Sequence, residues 1–218
     1  PGEFFVKAKV GNDSFAGTDW NKALATLDQA LQLAKTFCEK NAGAQVTINV
    51  AAGTYTPNSA SGFRLDKYAK ELSHITIIGG YPENATKQDG TNPKGNSKSD
   101  GNETIFMPLN NKGRIFDLSE KVKGLRIRGI HFKGKPKMVV GGCALNMNGA
   151  EVELDSCWIN EFSDASINQS GNNAALSINS KSRLTLRHCH FSYNNGRRSA
   201  CIGISGSGNE SSILISNS

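Results

Sequence analysis

Residues 183–194 read RLTLRHCHFSYN, and the phase of their apolar positions decides the fold. Leu184 and Leu186 are two apart, the spacing of inward positions on a strand. Cys189 and Phe191 are again two apart but out of phase with the first pair. One straight strand cannot do this, whereas a strand that bends at Arg187-His188 and restarts can. The same figure stands upstream as Val152, Leu154, Cys157, Ile159 and as Leu125, Ile127, Ile130, Phe132. It begins again at Ile213, Ile215. The first members, at positions 125, 152, 184 and 213, are separated by 27, 32 and 29 residues, the mark of a structural repeat.

A second figure interleaves with the first. Phe116/Leu118, Leu145/Met147, Leu176/Ile178 and Ile202/Ile204 are also paired two apart, at steps of 29, 31 and 26 residues. Each repeat thus holds at least three short strands, separated by Gly, Asn and Ser. One such coil cannot bury its apolar side alone, but stacked coils share a continuous core. The expected class is all-β, a parallel β-helix. The rival is a leucine-rich repeat, which needs a helical segment after each strand. The segments between these strands, such as SDASINQSGNNAALSINSKS, are poor helix formers.

The continuous repeat over 218 residues predicts one elongated domain spanning 1–218. Residues 1–43 would supply a first strand and a capping helix, and residues 44–218 the coils. Apolar residues make up 37% and glycine contributes 23 positions, which suits a solenoid with many turns. No run approaches the roughly 18 apolar residues of a membrane span. No signal peptide is visible, and the start, PGEFFVKAKV, is compatible with a trimmed secreted chain. The five cysteines include no Cys-x-x-Cys pair and no metal spacing, so neither a metal nor a cofactor is expected. Cys157 and Cys189 hold equivalent inward positions and are expected to stack as small buried hydrophobes. A net charge of +6 permits an anionic partner. The lysine run at 133–137 has no interleaved aromatic residue, which argues against a specific nucleic-acid partner.

Near the N-terminus FFVKA (4–8) reads as a strand. Trp20, Leu24, Leu27, Leu31 and Ala34 then share one face of a helix that Thr18 or Asp19 can cap. This amphipathic helix is the natural lid for the open end of the core. VTINVAAGTYTP (46–57) and HITIIGGY (74–81) follow as strands, and residues 82–103 read as a long exposed loop.

GNDSFAGTDW, the amphipathic helix, INVAAGTYTP and ITIIGGYPENAT…NETIF resemble the N-terminal part of secreted or surface bacterial right-handed parallel β-helix proteins, a group similar to pectate lyases in fold. The resemblance spans essentially the whole chain. It implies a right-handed solenoid, a secreted or cell-surface location, and coils that continue beyond SSILISNS into more solenoid or further domains. It does not select an activity, because this fold carries lyases, hydrolases, adhesins and structural modules.

Aligning the coils predicts which outward residues stack. One column is Arg126, Glu153, Thr185; the corner column is Arg128, Asp155, Arg187; after the corner come His131, Trp158, His190. Coil 121–137 is basic, coil 151–164 is acidic with Glu151, Glu153, Asp155, Glu161 and Asp164, and the next coil is basic again with Lys181, Arg183, Arg187, Arg197 and Arg198. The plain reading is register-fixing ion pairs between neighbouring strands. The functional reading is a glycan site: Trp158 as a platform for a sugar face, Arg128 or Arg187 neutralising a uronate, and His131 or His190 as a base. Asp155 and Glu153 are expected to point to different sides of the bend, which disfavours them as an acid–base pair. A peripheral loop such as 163–173 would instead cover Trp158. The expected function is a non-catalytic surface module contacting carbohydrate or forming part of an adhesin-like solenoid. The alternative is a polysaccharide lyase or glycoside hydrolase acting on acidic glycans.

Overall fold

The computed structural model describes residues 2–65, 74–86, 102–163, 175–196, 199–205 and 210–218. Asp164, Arg197, Arg198 and most of the loops 82–103 and 163–173 lie outside these residues. The fold is a parallel β-solenoid of three sheets. The first contains, in spatial order, β1 (Gly2–Val6), β2 (Val46–Ala51), β4 (Ile75–Tyr81), β7 (Leu125–Arg128), β10 (Glu151–Asp155), β13 (Arg183–Arg187) and β16 (Ser212–Ser216). The second contains β3 (Gly53–Tyr55), β5 (Thr104–Phe106), β8 (His131–Lys133), β11 (Trp158–Asn160) and β14 (His190–Ser192). The third contains β6 (Phe116–Ser119), β9 (Leu145–Asn148), β12 (Leu176–Asn179) and β15 (Ile202–Ser205). Three sheets exclude the leucine-rich repeat, which builds one.

The register is the one the repeats predict. Leu125, Val152, Leu184 and Ile213 align, as do Ile127, Leu154, Leu186 and Ile215. The phase change between first and second sheets is made by a residue in the left-handed backbone region: Gly129 (φ 65°), Ser156 (φ 53°), His188 (φ 52°) and Asn217 (φ 52°) in successive coils. One residue there turns the chain through a corner and moves the inward set by one position. Inside, apolar side chains from Phe4 to Cys189 form one continuous cluster. Phe63, Phe106, Phe116 and Phe132 fill its middle, with ring centroids 5.3–6.3 Å apart.

The helix is shorter than its periodicity suggests. α1 spans Leu27–Lys40, and Trp20–Lys22 forms a separate 3₁₀ turn that Asp19 caps. The break has a cause. Leu24 is bound to β1, its N–H donating to Phe5 O at 2.8 Å and its carbonyl accepting from Lys7 N at 2.8 Å. Asp13 Oδ1 accepts the next two N–H groups, those of Ala25 and Thr26, at 2.9 and 3.0 Å. Those peptide groups cannot also serve a helix, so Thr26 becomes the N-cap. Leu27, Ala30, Leu31, Ala34 and Cys38 bury against the end of the core. Trp20 instead packs on the outer side of β1, between Phe5 (4.9 Å) and Tyr81 (5.0 Å). β1 also starts earlier than expected, at Gly2, and the end of the expected loop 82–103 leads straight into β5.

Candidate functional site

The corner column of the first sheet aligns Arg128, Asp155 and Arg187 as expected. β10 runs unbroken through Asp155, so Glu153 and Asp155 project from the same face, not from opposite sides of a bend. The turn comes one residue later, at Ser156. Arg128 Nε lies 4.0 Å from Asp155 Oδ2, and Arg187 Nε reaches diagonally to Glu153 Oε1 at 3.7 Å. His188, which sequence reasoning treated only as a bend, places Nδ1 3.2 Å from Asp155 Oδ1. Lys123–Glu151 (3.3 Å) and Lys133–Glu161 (3.6 Å) also join the basic coil to the acidic one. These pairs are partly exposed, so each contributes about 0–1 kcal/mol and chiefly penalises slipped register.

Around the corner, His131, Trp158 and His190 occupy one register column. Adjacent strands are about 4.8 Å apart, so flat rings in one column cover each other's faces and offer edges to solvent. The Trp158 indole stacks on His131 with centroids 4.3 Å apart and planes 12° from parallel. Its Nε1 donates to Ser192 Oγ at 2.8 Å. His190 stands 6.4 Å away on the other side, tilted by 57°, and is exposed. His131 itself is buried, at 2% exposure. Both of its nitrogens are engaged, Nδ1 with the Glu103 carboxylate and Nε2 with the Asn160 side-chain amide. It is therefore not placed as a base for an outside substrate. Sequence reasoning missed Glu103, assigned to the loop, and Asn160; the only signal was that each neighbours a strand position of the repeat.

The outer face of the third sheet differs in character. Its columns are Asp117, Asn146, Ser177, Gly203 and Ser119, Asn148, Asn179, Ser205. Asn146 Nδ2 donates to Asp117 Oδ1 at 2.8 Å, and Asn179 bonds to Ser177 and Ser205. At the β6 end of this face lies a cleft of about 420 Å³, lined by Ser61, Arg64, Asp117, Ser119, Lys121 and Asn148 above Phe63 and Leu118. Segment 59–65 forms its wall by binding the strand entry: Phe63 N donates to Ile115 O at 2.9 Å and Arg114 N to Ala60 O at 2.9 Å. Gly62 permits that approach, with φ +87° and room for no Cβ, which would lie 2.5 Å from Ile115 O. Asp117 is neutralised by Arg114 at 3.0 Å. Arg64 and Lys121 are exposed, and the Arg64 guanidinium lies near enough to the Asp28 carboxylate to interact with it electrostatically. The cleft can thus hold a polar group against two cations, a carboxylate, two hydroxyls and an amide.

Cys157 and Cys189 lie in contact inside the core, and burial pushes the Cys157 thiol well up from its ordinary range. Among the described residues no helix is long and apolar enough to cross a membrane. No family model matches the chain, and neither the curated proteins nor the solved structures contain a significant match to it.

Proposed function

We propose that this chain is an extracellular or cell-surface β-solenoid module that contacts carbohydrate without cleaving it or acts as part of an adhesin-like solenoid. What supports this reading most is the third sheet, whose cleft opens onto an in-register strip of amide and hydroxyl groups. Such groups, repeated about every 4.8 Å along a rigid face, suit an extended chain of sugar hydroxyls. The ring edges of Trp158 and His190 and the arginines of the first sheet offer further contacts on the neighbouring faces. A glycan-binding screen of the whole chain is expected to return ligands whose affinity falls several-fold in Asn148→Ala. Unchanged binding in Asn148→Ala together with loss in Trp158→Ala would move the site to the second sheet, and an empty screen would remove the carbohydrate reading.

One observation favours a second reading, an enzyme acting on acidic glycans. His188 and Asp155 form a solvent-facing pair bracketed by Arg128 and Arg187. A histidine oriented by a carboxylate can remove a proton α to a uronate carboxylate that an arginine neutralises. On this reading, incubation with uronate polymers releases unsaturated products, followed by absorbance, and His188→Ala abolishes the signal.

A further inference from the structure

The corner that turns each coil also sets two thiols against each other. Asp155 aligns with Arg187 before it and Trp158 with His190 after it, so Cys157 and Cys189 occupy one row on adjacent coils. The backbone ladder holds on both sides of the pair: Ser156 N donates to Arg187 O at 2.8 Å and His190 N to Cys157 O at 2.9 Å. Both side chains belong to the core cluster. Each sulfur donates to a carbonyl of the preceding coil, Cys157 to Ile127 O at 3.6 Å and Cys189 to Leu154 O at 3.4 Å. The Cys157 thiol also hydrogen-bonds to the Cys189 sulfur, which holds the Cys189 thiol below its ordinary range. Adjacent strands are about 4.8 Å apart, within the Cα separation of roughly 4.4–6.8 Å that a disulfide bridges. Both positions lie between strands, one between β10 and β11 and the other between β13 and β14, so the sulfurs can close by adjusting a corner.

The other three cysteines are placed differently. Counting back from Leu145, Leu176 and Ile202, Cys201 shares its row with Ala144 and Ala175. Cys143 is therefore two coils away from Cys201 and one position earlier, about 9.6 Å off by strand spacing and beyond the reach of a disulfide. Cys38 sits on α1 in the N-terminal cap, its sulfur facing Ala44 O at 3.8 Å.

We infer that Cys157 and Cys189 are the two halves of an inter-coil disulfide, closed during folding by exchange with a low-molecular-weight disulfide such as oxidised glutathione. The Cys189 thiolate attacks one glutathione sulfur, a mixed disulfide forms, and the first glutathione thiolate leaves. The Cys157 thiolate then attacks the Cys189 sulfur and expels the second. Two protein thiols are oxidised, and their two electrons and two protons convert the glutathione disulfide into two thiols. Closure belongs to folding because stacking shields the pair, with Ser218 Oγ accepting from Cys189 N at 3.0 Å on the far side. The bond ties residues 158–188, which carry β11, β12 and β13, into a closed loop. It stabilises the fold chiefly by restricting the unfolded chain. It does not depend on the carbohydrate reading.

The test refolds the whole chain from urea in a mixture of reduced and oxidised glutathione, and in parallel with reductant alone. Free thiols are then alkylated and the peptides mapped by mass spectrometry without reduction. The glutathione sample is expected to show one disulfide, joining the Cys157 and Cys189 peptides, with Cys38, Cys143 and Cys201 alkylated once the chain is unfolded. Its urea midpoint is expected to lie about 1 M above that of the reduced sample. Cys201→Ala keeps both the bond and the difference, whereas Cys157→Ala loses both. The peptide map of the unsubstituted chain decides the pairing even where Cys157→Ala fails to fold. Absence of a disulfide, a bond joining any other two cysteines, or a Cys157–Cys189 bond that leaves the midpoint unchanged or lowers it would overturn the inference.

Discussion

At the corner between the first and second sheets a single residue in each coil holds a positive φ, and three of the four are not glycine. For an L-residue that backbone region costs roughly 1–2 kcal/mol, less for asparagine, whose side chain bonds locally. Ser156 is the clearest case, because its outward neighbours make their own contacts. Ser156→Gly is expected to raise stability by about 0.5–1 kcal/mol after the entropy of glycine is subtracted, measured by urea denaturation. A loss of stability would mean that the Ser156 Oγ bond to Asp155, 3.0 Å long, outweighs the backbone strain. His131 makes the opposite point. Its position two residues past the corner was legible in the repeat, but its burial was not, since that depends on Glu103 and Asn160 closing on its two nitrogens from other coils.

At the scale of one element, the N-terminal cap is governed by a residue outside it. Asp13 accepts three hydrogen bonds, from Ala25 N, Thr26 N and Thr26 Oγ1, the last at 2.9 Å. Thr26 Oγ1 in turn accepts from Gln29 N at 3.2 Å, so one carboxylate sets where α1 begins. Asp13→Ala is expected to cost about 2 kcal/mol and to loosen α1 before the coils, visible as faster amide exchange over 27–40 than over β10 and β13. Uniform loss of protection across the chain would show that the cap has no separate stability. The helical spacing of Trp20, Leu24 and Leu27 pointed to one continuous helix. It could not report that Leu24 spends its peptide groups on β1, because a tertiary hydrogen bond leaves no trace in periodicity.

Over the whole molecule, the stacked coils make a core whose thiols are reachable only through unfolding. Cys157 and Cys189 are 2% and 4% exposed, whereas Cys201 is half-buried near the last coil. Alkylation followed by mass spectrometry is expected to label Cys201 first, with Cys157 and Cys189 labelled only at the rate of global opening. Early labelling of Cys157 would mean the coils separate locally. Burial also raises the folded-state pKa of Cys157 above its unfolded value near 9.0. The thiol therefore favours the fold fully below that value and progressively less as pH climbs above it. Stability is expected to fall above about pH 9, more steeply than in Cys157→Ala.

Read alone, the sequence determined the stacking: inward pairs two apart, a phase change at a fixed place and a repeat near thirty residues admit one way of aligning coils, and the columns follow from it. Charge alternation between coils was equally legible, since pairing across parallel strands is a matter of register. Only the tertiary structure decided which outward groups are already satisfied and which are free. Stacking turned the His131–Trp158 faces toward each other, Glu153 closed on Arg187, and segment 59–65 folded over the entry to β6 to make a cleft lined by Arg64, Asp117 and Lys121. Those outcomes depend on contacts between residues far apart in the chain, and a one-dimensional period carries no information about them.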